Sequence, residues 1–179
     1  MVVFAETKRL ILREIALTDI DGMFDLDSDY EVHKYLGNNP VKDKQETVDV
    51  INFIRQQYLD NGIGRWAIID KQTNEFIGWT GLKYVTELTN NHINYYDLGY
   101  RLRKKYWGKG IATESAIASL GYAFDKLNAN EIYAMADCKN DGSNNILKKV
   151  GLKFIEKFDL DGVEHNWYKI EKSEYENIT

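Results

Sequence analysis

Apolar and polar residues alternate with a period that changes several times along the chain, and each change marks an element. From Thr7 to Glu14, Arg9, Ile11 and Arg13 fall on one side and Leu10 and Leu12 on the other, as in a half-buried strand. Thr18 with Asp21 resembles a capping box, and Met23, Phe24 and Asp27 continue a first helix. A short helical or turn segment carrying Val32, Tyr35 and Leu36 stops at Asn38-Asn39-Pro40. Val50, Ile51, Ile54 and Tyr58 then follow helical spacing between Lys44 and Leu59, and Asn61-Gly62 supplies a stop. Trp66 to Asp70 and Phe76 to Tyr84 flank the polar turn 71–75 and read as a hairpin, and the polar stretch 86–94 reads as a loop.

Period two returns from Tyr95 to Arg103, with Tyr96, Leu98, Tyr100 and Leu102 on one face and Tyr95, Asp97, Gly99 and Arg101 on the other. Ala116, Ile117, Leu120, Phe124 and Leu127 define an amphipathic helix ending near Asn128. A strand over 131–137 follows, then a helix over 143–150 with Ile146, Leu147 and Val150 inward and Gly151 as its cap. The final hairpin pairs 154–160 with 164–170 through Asp161-Gly162, a type I′ turn signal. The element order is β-α-α-β-β-β-α-β-α-β-β, without internal repeats. Strands 95–103 and 131–137, joined by one helix, form a βαβ unit and are expected to run parallel. The fold class is therefore α/β of the mixed kind, one central sheet with helices on both faces.

At 179 residues the chain fits a single domain over 1–179, large enough to bury roughly two thirds of its unfolded surface. Its hydrophobic share of 44% and charged share of 28% are those of a globular protein rather than a disordered one. The net charge of -5 argues against nucleic acid as a partner and suits a cationic substrate. A lone cysteine, Cys138, precludes an internal disulfide and offers no metal-ligand spacing, so no metal is expected. The apolar N-terminal residues stop at Ala5, and no run approaches the roughly 20 residues of a membrane span. The expected location is the cytoplasm, with no membrane partner.

Chemistry concentrates between the 95–103 strand and the following helix. Gly108 and Gly110 sit where a strand-to-helix turn exposes free N–H groups to an anion, and Arg103, Lys104, Lys105 and Lys109 add positive charge. Alone, a Gly-x-Gly turn is a weak signal, equally explained as a tight turn. The dinucleotide fingerprint requires a third glycine where Thr113 stands, and the P-loop requires one where Lys104 stands. Both patterns fail.

The segment Trp107-Gly108-Lys109-Gly110-Ile111-Ala112-Thr113-Glu114 resembles the cofactor turn of the GNAT family of N-acetyltransferases. Within it, the chain is similar to the branch that acetylates the N-terminal amines of ribosomal proteins. Trp107 departs from the family's Gln or Arg, but tryptophan there is frequent in this branch. Thr7 to Arg13 resembles the branch's opening strand, and Asp97-Leu98-Gly99-Tyr100 its acidic strand. Asn140, Ser143 and Gly151 match its later motif.

The resemblance implies a GNAT fold and acetyl-CoA as acetyl donor. It implies that backbone groups from Tyr100 through Leu102 to Arg103 pair with the pantetheine arm. It further implies that the amides of Gly108, Lys109, Gly110, Ile111, Ala112 and Thr113 hold the pyrophosphate beside Trp107, and that Asn140 and Ser143 contact the coenzyme. Asp97 is the candidate general base, with pairing to a neighbour as its other reading. An amide near Gly99 or Tyr100 is the candidate oxyanion donor. Many members place a tyrosine seven residues after the motif Asn; here it is Leu147, which leaves Ser143 as candidate proton donor or helix cap. The acceptor is a protein N-terminal amine or a small amine, and a homodimer is compatible with the chain. Two other readings stay open: a non-catalytic acyl-CoA sensor and a small-amine or antibiotic acetyltransferase. His33, His92 and His165 read as surface residues. Tyr30, Tyr35 and Trp66 read equally as acceptor contacts or core.

Overall fold

The computed structural model describes residues 1–177, so the last two positions of the expected domain lie outside it. Its eight strands form one sheet in the order β1-β2-β3-β4-β5-β6-β8-β7. The strand expected over 7–14 is confined to β2 (Leu10–Glu14), and a further strand not expected, β1 (Val3–Glu6), precedes it and pairs with it antiparallel. Only 10–14 follows the alternating pattern, with Leu10 and Leu12 fully buried, while β1 is an edge strand whose half-exposed residues carry no such signal. Strands β3 (Arg65–Asp70), β4 (Phe76–Val85) and β5 (Tyr95–Leu102) extend the antiparallel ladder. Strand β6 (Glu131–Asp137) runs parallel to β5, and the hairpin of β7 (Lys153–Leu160) and β8 (Val163–Glu171) closes the sheet with β8 inside. Asp161 and Gly162 have φ of 52° and 82°, as a type I′ turn requires.

Helices cover both faces. On one face lie α1 (Ile20–Asp27), α2 (Tyr30–His33) and α3 (Lys44–Asn61), burying Met23, Leu26, Val32, Ile51 and Ile54 against Ile15, Ala67 and Ile69. The start of α1 differs from the Thr18 cap: Leu17–Asp19 forms a 3-10 turn, and Asp19 accepts from Ala16 N at 2.9 Å while paired with Arg13 at 2.7 Å. The other face carries α4 (Ile111–Asp125) and α5 (Asp141–Lys149). Small residues Ala112, Ser115, Ala116, Ser119 and Ala123 form much of the buried side of α4 and let it approach the sheet closely. Ile117, expected inward, is 49% exposed, because this small-residue side rather than the larger side chains meets the strands. A short α6 (Lys172–Glu176) ends the described chain. Among the described residues no helix is long and apolar enough to cross a membrane.

Helix α5 is fastened by one buried side chain. Asn144 donates to Asp137 O at 2.9 Å and Asn140 O at 2.8 Å, and its Oδ1 accepts from Asn166 Nδ2 at 2.8 Å and Tyr168 Oη at 2.7 Å. The expected cap, Ser143, is not the cap: Asn140 is, with its Oδ1 accepting from Ser143 N at 3.1 Å. Replacing Asn144 with Ala strands two donors on β8 and is expected to destabilise the protein by about 2–3 kcal/mol. Urea unfolding checks this as a lower midpoint with an unchanged slope.

Candidate active site

Strands β4 and β5 pair over eight residues, from Gly78 opposite Leu102 to Val85 opposite Tyr95. Strands β5 and β6 pair at one position, Asp97 opposite Tyr133, and beyond it β5 continues without a ladder on that side. Arg103 N donates to Ile77 O at 2.9 Å, so the odd-numbered residues of β5 turn their backbone groups toward β4. The backbone groups of Leu98, Tyr100 and Leu102 therefore face the β6 side. The Leu102 carbonyl is taken by Trp107 Nε1 at 2.8 Å, which anchors the corner leaving β5. This leaves the Tyr100 N–H and carbonyl and the Leu102 N–H along the opening.

At one end of the opening the chain turns into α4. Gly108 and Gly110 have φ of 71° and 73°, left-handed values that cost a side-chain-bearing residue roughly 1–2 kcal/mol. The first intrahelical bond is Glu114 N to Gly110 O at 3.0 Å, so the amides of Ile111, Ala112 and Thr113 precede the helical ladder and point at its N-terminal end. Arg9, in the turn before β2, braces this corner by donating to Lys109 O at 3.0 Å and pairing with Glu114 at 2.6 Å. Burial raises the Glu114 pKa, but the hydrogen bonds from Thr7 and Arg9 outweigh it and hold the carboxyl below its ordinary value. The result is an amide-lined corner suited to a diphosphate, to which Lys109 adds positive charge, whereas Arg103 and Lys105, expected to add theirs, are paired with Asp25 at 2.6 Å and Glu75 at 3.3 Å.

On the α5 side, Tyr100 reaches from β5 to the N-terminus of α5. Its Oη donates to Ser143 O at 3.0 Å and lies 3.2 Å from Ser143 Oγ. Tyr100 and Ser143 are thus brought together, with Asn140 capping the same helix end; the motif associated Asn140 with Ser143 but did not place Tyr100 beside them. Cys138 stands apart from them, half-buried, with Sγ 3.1 Å from Asn166 Oδ1.

Asp97 projects from the opposite face of β5, toward the α1 and α3 layer. It is buried, and its partner is Arg65 of β3, which also donates to Gly81 O at 2.6 Å and Asp97 O at 2.7 Å. Desolvation pushes the Asp97 carboxyl above its ordinary value against the opposing pull of Arg65. Arg65 reaches Asp97 only because residue 99 is glycine: a Cβ there would lie 2.7 Å from the guanidinium. Beside this pair Trp79 is flanked by Arg65 at 5.3 Å and Arg101 at 5.0 Å, and Arg101 pairs with buried Asp27 at 2.6 Å.

His33, expected at the surface, is 7% exposed and lies 3.6 Å from Asp27, too long for a hydrogen bond. Among the described residues neither of its ring nitrogens has a hydrogen-bond partner. Burial, then Arg101, lowers its pKa, so the imidazole is neutral at neutral pH. Trp66 proves to be core, stacked on Phe4 at 4.7 Å beneath α4, and Tyr30 is exposed. Neither Arg65 nor the Asp27, His33 and Arg101 group was read from the sequence. The one signal was Gly99 inside β5, since a glycine within a strand marks close approach of another group, here Arg65.

Residues 9–153 match the family model described as Acetyltransferase (GNAT) domain. An uncharacterized N-acetyltransferase, p20, of Bacillus licheniformis is 33% identical over 147 residues, covering 82% of this chain and 80% of its own. The same fold occurs in spermidine N-acetyltransferase from Vibrio cholerae, solved with CoA and spermine, at a TM-score of 0.77, 21% identity and coverage of 96% and 100%. It occurs also in RimL, the ribosomal L7/L12 alpha-N-protein acetyltransferase, solved with coenzyme A, at 0.79, 17% identity and coverage of 95% and 98%. With its sheet parted beside an amide-lined corner, the chain belongs to the GNAT acetyltransferase family and is an acyl-CoA-dependent N-acetyltransferase that uses acetyl-CoA.

Proposed function

We propose that this enzyme transfers the acetyl group directly to a primary amine in a ternary complex, with acetyl donor and acceptor meeting across the opening between β5 and β6. The carrying observation is the single-pair contact of these strands, with the glycine corner at one end and buried Asp97 at the other. In this reading the amides of residues 108–113 hold the pyrophosphate, Asn140 and Ser143 contact the coenzyme, and the pantetheine arm pairs with Tyr100 and Leu102. Arg103 takes no part in this pairing, since its N–H is engaged by β4 and its guanidinium by Asp25 of α1 at 2.6 Å and the Phe76 carbonyl at 2.9 Å.

Aminolysis of a thioester requires a neutral amine, whereas a free alkyl amine with a pKa of roughly 10 is protonated at pH 7. Asp97 is the proton acceptor in this proposal. Its raised pKa supports the role, and the Arg65 pair fixes its orientation. The Tyr100 N–H, which faces the opening, is the donor toward the developing oxyanion, whereas the Gly99 N–H is turned toward β4. The acceptor we propose is a protein N-terminal amine, supported by the branch-like motifs and the RimL likeness in fold. Small amines form the comparison set, supported by the likeness to the spermidine enzyme.

Thiol release measured over N-terminal peptides, polyamines and aminoglycosides is expected to be highest with the peptides, and a polyamine preference overturns the acceptor assignment. Asp97→Asn is expected to lower kcat by about 100-fold or more with the acetyl-CoA Kd unchanged. Because the Asp97 pKa is raised, activity in the wild type should fail at a higher pH than an ordinary carboxylate of about 4 would impose. The acid limb of kcat/KM reports this value, and it is expected to vanish in the variant.

Gly110→Ala forces a left-handed backbone onto alanine and is expected to weaken acetyl-CoA binding about tenfold, the equivalent of roughly 1.4 kcal/mol. Calorimetry checks the affinity, and an unchanged Kd rejects this corner as the pyrophosphate site.

A further inference from the structure

Thioester aminolysis ends with breakage of the C–S bond, and the sulfur departs with the bonding electron pair. A thiolate leaving into a cleft needs a hydrogen-bond donor. On the coenzyme face of β5, Tyr100 spans the opening and its hydroxyl meets both the backbone and the hydroxyl of Ser143 at the N-terminus of α5. That helix end is held by Asn140 and by the fully engaged Asn144, so the point at which the two hydroxyls meet is fixed by packing and not by the ligand.

We infer that the Tyr100 hydroxyl is the hydrogen-bond donor to the departing coenzyme sulfur, exchanging its bond to the Ser143 carbonyl for one to the thiolate. Ser143 Oγ lies beside it and completes the pair. The phenol keeps its proton throughout. Desolvation moves the Tyr100 pKa upward from 10, well above a thiol's ordinary value of about 8.5, so full transfer of the proton to sulfur is uphill. The other titratable group facing it, Tyr168 of β8, has its hydroxyl committed to Asn144. The thiolate therefore leaves stabilised by a hydrogen bond and takes its proton from water after release. The proton given up by the amine goes separately to the base on the opposite face of the strand.

This inference rests on the reading of the β5–β6 opening as the acetyl-donor cleft, and its test separates the two. Calorimetry compares coenzyme A with desulfo-coenzyme A, which lacks the sulfur, at pH 7 and pH 9. A donor that lowers the bound thiol pKa by about one unit makes coenzyme A bind more tightly as pH rises, whereas desulfo-coenzyme A gains nothing from thiol ionisation. In the wild type the ratio of the two affinities is expected to rise about fivefold over this interval.

Tyr100→Phe is expected to leave desulfo-coenzyme A affinity within about twofold, to flatten that rise, and to lower kcat about 10- to 100-fold, the range of one hydrogen bond to a charged group. A rise that persists in the variant overturns the assignment, as does unchanged kcat. Loss of desulfo-coenzyme A affinity in the variant also overturns it, because the hydroxyl would then only be holding α5 in place. A wild type that binds neither ligand overturns the cleft itself.

Discussion

Two neighbouring strands that touch at one residue pair and then separate impose the main constraint on this molecule. Backbone N–H and carbonyl groups in a sheet interior must find partners, and a strand that abandons its neighbour leaves a row of them open. Here the row is short, because Trp107 takes the Leu102 carbonyl and β4 takes the alternate groups. What stays open is a slot for an extended ligand able to act as a further strand. The amide-lined corner lies at the slot's end because β5 leads through the glycine turn into α4.

The pleat of β5 then divides the labour. Even-numbered side chains face the α4 and α5 layer, where Tyr100 meets Ser143, and odd-numbered ones face the α1 and α3 layer, where Asp97 and Arg101 meet charged partners. The hydroxyl pair of Tyr100 and Ser143 and the charged pairs of Asp97 and Arg101 are thereby kept on opposite sides of one sheet. The opening between β5 and β6 lies between these two sides.

The face toward α1 and α3 is held together by buried charge. Asp97 with Arg65 and Asp27 with Arg101 are two ion pairs on either side of Trp79. Breaking a buried pair leaves an uncompensated charge, which costs about 3–5 kcal/mol, so these groups hold one another in fixed orientations. Gly99 is what permits the first pair, since any side chain there would occupy the space of the guanidinium. His33 sits against the second pair as a neutral ring without a hydrogen-bond partner among the described residues.

Local chemistry was legible in the sequence wherever a short segment determines its own conformation. The left-handed glycines of the corner, the Asp161-Gly162 turn, the alternation of β5 and the long α3 with its Gly62 stop all follow from backbone preferences of the residues themselves. The family motifs brought together the turn, Asn140 and Ser143. An edge strand such as β1 gave no period to read, and Ile117 misled because small residues rather than large ones face the sheet along α4. Only the tertiary structure decided which partner Asp97 has, that Tyr100 reaches Ser143, and that His33 is buried. Arg65 and Asp97 are 32 residues apart, and Tyr100 and Ser143 are 43 apart. Sequence spacing carries no information about contacts made by strand order and register, and these contacts set the charges and hydroxyls around the opening.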